Sequence, residues 1–177
     1  MKFNETTISG AYLLKREPHS DNRGYFARTY CTHEFLDHGI SFQPVQANIS
    51  FNQQAKTLRG MHFHTPPHQE EKLVYCSSGS IFDVVVDLRT GSNTYGKWYG
   101  AELTRENGHG LFIPKGCAHG FLTLQKETEV SYLMSPSYTP GYDAGFRWDD
   151  PEVGIEWPEA PAVISGKDLE LPMLRDL

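Results

Sequence analysis

Long apolar runs are missing from this chain of 177 residues, and no window approaches the roughly 18 apolar residues that a membrane-spanning helix needs. The opening stretch, MKFNETTISGAYLLKREPH, carries no sustained apolar segment of the export type, so a cytoplasmic location is expected. Cysteine is scarce. Cys31, Cys76 and Cys117 are odd in number and lack CxxC spacing, which argues against a full disulfide framework or a cysteine zinc site and leaves three reduced thiols. An excess of positive charge is lacking too: 16 basic residues stand against 22 acidic ones, the formal charge is -6, and no cluster of Lys and Arg could track a phosphate backbone. Nucleic acid is therefore a poor partner, whereas a small phosphorylated ligand needs only a few cations. With no repeat, linker or low-complexity segment, residues 1–177 are expected to form one domain, large enough to bury roughly two thirds of its unfolded surface.

Helical periodicity is nearly absent as well. Short extended segments separated by Gly, Pro, Ser and Asn turns are expected at residues 8–14, 24–30, 45–50, 72–76, 81–88, 98–104, 110–113, 121–124 and 129–134. One short helix is expected over residues 32–38, with Thr32 as cap and Gly39 as stop, and a second over 165–171 with Ser165 as cap. Such a chain reads as an all-β barrel or sandwich.

The stretch Thr57 to Val74, TLRGMHFHTPPHQEEKLV, organises the rest. In extended chain His62 and His64 share a face and Phe63 takes the other. Pro66-Pro67 forces a loop, after which an antiparallel return over Leu73, Val74 and Tyr75 would bring Lys72 or the carboxylates Glu70 and Glu71 near the histidines. A lone His64 reads as readily as a structural residue. His62 is the stronger functional candidate, because Arg59, His64, Glu70 and Lys72 crowd one short segment beside an apolar core.

In the segment Ile81 to Leu88, Phe82, Val84, Val86 and Leu88 make an apolar face, while Asp83 and Asp87 interrupt the other. Asp87, near Arg89, reads as a rim or turn charge. Asp83, midway along a core strand, needs a partner and is suited to orient a cavity cation or an imidazole. The segment Gly108 to Phe121, GHGLFIPKGCAHGF, places His119 after a Pro-Lys-Gly turn. His62-x-His64 together with this second segment resembles the two halves of the cupin pattern, with Thr123 in place of the customary asparagine and Glu70 further from His64 than usual. Two chemistries fit: a metal site of His62, His64, Glu70 and His119, suited to iron or manganese, or an anion site in which Arg59 and Lys72 bind a diphosphate or stabilise an enolate.

Seven stretches in order, DNRGYF, QAN, LRGMHFH, KLV, IPKGCAHGF, VSY and SGKD, give nearly the whole chain a closer likeness. It resembles the dTDP-4-dehydrorhamnose 3,5-epimerase family, a metal-independent branch of the cupins acting on nucleotide-linked 4-keto-6-deoxy sugars. The resemblance implies a cupin-type jelly-roll barrel with short peripheral helices, no cofactor and no metal. It implies His62 as general base, Tyr132 as general acid, Asp168 as the carboxylate pairing with the base, and Lys72 near the keto oxygen. Arg59 and His119 match sugar- or phosphate-contacting positions, Arg23, Gln46, Asn48 and Lys167 match outer contacts, and Tyr138 matches a tyrosine packing by the sugar. Arg23 is expected to reach a neighbouring subunit's site, hence a homodimer.

The chemistry is consistent with those identities: a proton next to a ketone is removed by a base titrating near neutrality, with a donor or cation at the oxygen, and inversion requires a second residue on the opposite face. Two positions depart from the family pattern. Arg28 stands where it usually has glutamate, and Asp143 where it usually has glutamate in YxPxxE, which leaves open the nucleotide base and whether C3, C5 or both are inverted. Two other readings stay open at this point, a metal-dependent cupin dioxygenase or isomerase and a non-catalytic sugar-nucleotide binding protein.

Overall fold

The structure, a computed structural model, describes residues 1–177. Fourteen short strands dominate it: β1 (Lys2–Glu5), β2 (Tyr12–Lys15), β3 (His19–Asp21), β4 (Gly24–Phe26), β5 (Gln46–Asn52), β6 (Thr57–His64), β7 (Glu71–Ser78), β8 (Ser80–Asp87), β9 (Trp98–Thr104), β10 (Gly110–Ile113), β11 (Cys117–Thr123), β12 (Thr128–Ser135), β13 (Asp143–Gly145) and β14 (Val163–Ile164). The helices are α1 (Thr32–Asp37) and α2 (Gly166–Leu169), with a last 3-10 turn at Leu174–Asp176. No helix is long and apolar enough to cross a membrane.

Two sheets face each other as a jelly-roll barrel. One runs β1-β2-β10-β7-β12-β5, the other β13-β6-β11-β8-β9 with β14 parallel to β6, while β3 and β4 form a separate ribbon. Alternation decides what each strand buries. On β8, Val84 and Val86 join Met61, Ala118, Phe146 and Val153 on the outer side, under the C-terminal segment, whereas Ile81 and Val85 point inward. Inward residues of both sheets, among them Val74, Leu111, Val130, Leu103 and Phe121, fill one end of the barrel. Outside the first sheet, Phe35 of α1 packs with Phe42, Phe112 and Leu73. Each α1 aromatic contact is edge-on or tilted, as ring quadrupoles favour.

The expected elements are recovered with instructive shifts. Residues 8–11 turn rather than extend, because Thr6 Oγ1 donates to the carbonyls of Ile8 and Ala11. Residues 27–30 leave the ribbon. Strand β11 begins at Cys117, four residues before the expected start at 121, and so carries His119. The α1 cap is Cys31, without a side-chain bond; the Thr32 hydroxyl lies 3.1 Å from Tyr30 Oη instead. Ser165 does cap α2, its Oγ accepting from the Asp168 amide. The largest correction concerns β7, which does not pair with β6. The Pro66-Pro67 loop carries the chain to the opposite sheet, so Lys72 meets the histidines across the barrel.

Of the two readings of Asp87, rim or turn charge, the turn one holds, and the side chain is fully buried rather than at a rim. Arg89, Ser92 and Thr94 donate to its two oxygens and so fold the β8–β9 loop around it. Burial alone would raise its pKa, but the hydrogen bonds from Arg89, Ser92 and Thr94 outweigh burial and lower it. A carboxyl whose folded pKa lies below its unfolded value contributes stability above that unfolded value and loses it as pH falls through the folded one. Asp87→Asn is therefore expected to lower the urea midpoint at pH 7, with the gap to the parent chain narrowing once pH falls below about 4. A gap that is constant between pH 7 and pH 3 would contradict this assignment.

Candidate active site

The barrel end left unfilled by the core is polar because period-two alternation on its strands places polar side chains inward there. On β5 the alternate residues Gln46, Asn48, Ser50 and Asn52 turn inward or to the rim, while Ala47, Ile49 and Phe51 are exposed. A cavity of about 440 Å³ results, lined among others by Arg59, His62, Lys72, Tyr132 and Asp168, with Tyr138, Asp143 and Lys167 among its further lining residues. A second pocket, bounded by His119, Phe121 and Ser50, shares Arg59, His62, Lys72 and Tyr132 with it.

Strand β6 delivers Arg59 and His62, and its backbone must lie very close to β11 to do so. A Cβ on Gly60 would sit 2.6 Å from Gly120 Cα and 3.0 Å from the His119 carbonyl, and Gly60 has a φ of +129°. Only glycine fits there. His62 Nε2 lies 2.7 Å from Asp168 Oδ1, although 106 positions separate them. The imidazole is 42% exposed and the carboxylate 5%. Asp168 Oδ2 also accepts from the Gly60 amide at 3.3 Å. Burial would push the Asp168 carboxyl up, but the bond and charge of His62, aided by Gly60 and Ser165, hold it below the ordinary range. The C-terminal segment thus folds back onto β6, a contact that the resemblance implied and that sequence spacing could not show.

Tyr132 comes from the other sheet, where β12 lies between β7 and β5. Burial pushes its phenol up; Arg59 opposes the rise and Glu70 adds to it. It therefore holds its proton at neutral pH. Lys72 Nζ lies 2.6 Å from Glu70 Oε1. Arg59 Nε donates to Asn52 Oδ1 at 2.8 Å, and His119 Nε2 lies 2.7 Å from the buried Asp83 Oδ1, so Asp83 does orient an imidazole. Near the rim Tyr138 Oη donates to Asp143 Oδ1 at 3.0 Å, and Lys167 Nζ pairs with Asp143 Oδ2 at 3.2 Å. Lys167 and then Tyr138 lower the Asp143 carboxyl, and Asp143 raises the Tyr138 phenol. Gln46 Oε1 accepts from the Tyr138 amide, and Asn48 donates to Met134 Sδ.

Of the candidate residues, only Arg23 and Arg28 stand apart from both of these pockets. Arg23 lies at the turn between β3 and β4, bound to Asp21, and Arg28 is held by Glu34 of α1 at 2.6 Å. The metal set is not assembled. No three His, Cys, Asp or Glu side chains converge as ligands, and His62 and His119 each give a nitrogen to a separate carboxylate. Sequence reasoning missed Asn52 and Ser50; the signal was the period-two run of polar residues from Gln46.

A cupin-type jelly roll with a histidine–aspartate pair on one wall and a protonated tyrosine on the other defines the class, an acid–base enzyme working inside a barrel. The model of the dTDP-4-dehydrorhamnose 3,5-epimerase family matches residues 5–176. A dTDP-4-dehydrorhamnose 3,5-epimerase of Sinorhizobium fredii is 42% identical over 178 residues, covering 100% of this chain and 91% of that protein. The crystal structure of the enzyme of that name from Bacillus anthracis, with TDP and PPi bound, superposes with a TM-score of 0.94 at 39% identity, over 98% of this chain and 99% of that one. ChmJ, a 3'-monoepimerase from Streptomyces bikiniensis in complex with dTDP-quinovose, gives 0.89 at 30% identity, over 96% and 86%. The chain belongs to the dTDP-4-dehydrorhamnose 3,5-epimerase family and is a carbohydrate epimerase.

Proposed function

We propose that the chain inverts a dTDP-linked 4-keto-6-deoxy sugar at C3 and C5, through a proton-abstracted enolate. The observation that carries this is the 2.7 Å contact between His62 and Asp168 in a cavity whose other wall bears Tyr132. His62, oriented by Asp168, removes the proton α to the C4 ketone. Lys72 holds the charge that develops on the C4 oxygen, since a preorganised cation stabilises an enolate most where water is excluded. Tyr132, still protonated, returns a proton to the opposite face. Arg59 and His119 contact sugar or phosphate, Tyr138 packs by the ring, and Gln46, Asn48, Asp143 and Lys167 form the outer contacts. The bound TDP of the Bacillus relative supports the thymidine diphosphate carrier, while the monoepimerase relative makes inversion at C3 alone the outcome to be distinguished.

Residues 1–177 act as one catalytic domain in this reading, supported by a family match over residues 5–176. A cytoplasmic site of action is part of the same proposal. It accords with free thiols that burial keeps protonated, Cys76 pushed up to about 11 and Cys117 up to about 12. A homodimer completes it. The edge strand β5 exposes Ile49 (65%) and Phe51, and the β3–β4 ribbon exposes Tyr25 and Phe26 (74%), apolar surface that a second copy would cover. On that ribbon and the segment behind it Arg23 and Arg28 would face the neighbour's site.

Proton magnetic resonance in heavy water tests the division of labour by reading C3 and C5 separately. His62→Ala is expected to suppress deuterium wash-in and product together. Tyr132→Phe should retain part of the wash-in while inverted product falls about 10²- to 10⁴-fold, the ordinary weight of a general acid. Near-normal inversion in folded Tyr132→Phe, or near-normal exchange without His62, would remove the respective assignment.

Rigorously chelated protein is expected to keep full turnover. Stoichiometric iron or manganese whose removal abolishes activity and whose return restores it would replace this mechanism with a metal-dependent one.

Sedimentation should give twice the 20.1 kDa chain mass. Mixing inactive Arg23→Ala with inactive His62→Ala after unfolding and refolding should restore about a quarter of the parental sites, because each mixed dimer of a two-fold pair regains one complete site. No recovery from a verified mixed dimer would show that Arg23 serves its own chain.

A further inference from the structure

The acid–base reading uses Lys72 but leaves unexplained the two buried groups behind it. Glu70 and His64 are both buried, as is Lys72. One Glu70 oxygen lies 2.6 Å from Lys72 Nζ. The other, Oε2, has no hydrogen-bond partner, and neither has His64 Nδ1, which lies 3.7 Å from it. A movement of under about 1 Å would close that gap to hydrogen-bond length. Two orphaned buried polar atoms facing each other, on a side chain that already grips a cation, are costly unless they act together.

Lys72 needs such a grip. Its ammonium is sheltered in a cavity that also holds Arg59, and a sheltered ammonium without a counter-ion is costly and swings toward solvent. Glu70 occupies one of its three N–H donors and leaves two. His64 is well placed to hold Glu70 in turn: it shares the inward face of β6 with His62, and its ring packs against Tyr138 at 5.4 Å. We propose that Glu70 is a positioning residue that keeps Lys72 aimed at the substrate's keto oxygen, and that His64, donating from Nδ1 to the free oxygen of Glu70, fixes Glu70 in that role. This rests on the reading of Lys72 given above.

The test compares Glu70→Gln, Glu70→Asp, Lys72→Met and the double variant Lys72→Met/Glu70→Gln, reading kcat, KM, deuterium wash-in at C3 and C5, and TDP affinity. Glu70→Gln should lower kcat and wash-in together about 10- to 100-fold, the scale of a mispositioned catalytic group, while KM and TDP affinity stay within about threefold. Lys72→Met should lower kcat and wash-in at least as far, and adding Glu70→Gln to it should cost nothing more. Glu70→Asp, which keeps the charge at shorter reach, should fall between the parent and Glu70→Gln, and it carries the test alone if the glutamine variant does not fold. His64→Gln, which still offers a donor, should stay nearer the parent than His64→Leu. Parental kcat in Glu70→Gln, or an equal further loss in the Lys72→Met background, would overturn the positioning role. Equal losses in the two His64 variants would remove His64 from it. Lys72→Met with parental turnover and exchange would instead show that the reading of Lys72 is wrong, and the role of Glu70 would fall with it.

Discussion

A carboxylate buried in the wall of a barrel must have a partner, and the position of Asp168 is the condition on which the site depends. Its charge is stabilised by His62, by the Gly60 amide and by its place in the first turn of α2, whose cap is Ser165. Each of those partners constrains something else. His62 is fixed in orientation, β6 is tied to the C-terminal segment, and Gly60 stays flat against Gly120 so that β6 and β11 can approach. Without the return of the last quarter of the chain, His62 would be an exposed imidazole on an open strand.

The same rule orders the rest of the wet end. Three acids there lie on or near the barrel interior, and each is paired with a basic side chain: Asp168 with His62, Asp83 with His119, and Glu70 with Lys72. Pairing of this kind contributes little net stability against an apolar core of equal volume. Its value is that it holds two imidazoles and an ammonium in fixed directions around one cavity, while the other end of the barrel is closed by Val, Leu, Ile and Phe side chains. Each carboxylate engages one ring nitrogen, Nε2, of its imidazole, and no third His, Cys, Asp or Glu joins either pair as a ligand group.

The two departures from the family pattern have different structural weight. Asp143, one methylene shorter than glutamate, still reaches both Tyr138 and Lys167 from the edge strand β13. Arg28 reverses a charge, and the fold absorbs it with Glu34 of α1 rather than in the cavity. The rim of the site thus keeps its network, whereas the change at Arg28 lies on the ribbon side of the molecule.

Most of the fold was legible in the sequence because strand alternation is a local property. Phe82, Val84 and Val86 against Ile81, Asp83 and Val85 assign the two faces of β8 with no knowledge of its neighbours, and a buried Asp83 demands a partner wherever it lies. His62, Tyr132, Lys72 and Asp168 were legible as chemistry, through residue type and through likeness to known relatives. Their meeting was not. That Pro66-Pro67 sends β7 to the opposite sheet, that Asp168 reaches His62 and that Asp83 meets His119 are matters of which segments meet far along the chain, 106 positions apart for the first pair and 36 for the second. The sequence by itself determined the strands, their inward faces and the acids and bases the chain could use. Only the tertiary structure decided which acid meets which base, because a buried charge is satisfied by whatever the fold brings within about 3 Å, and sequence spacing does not measure that distance.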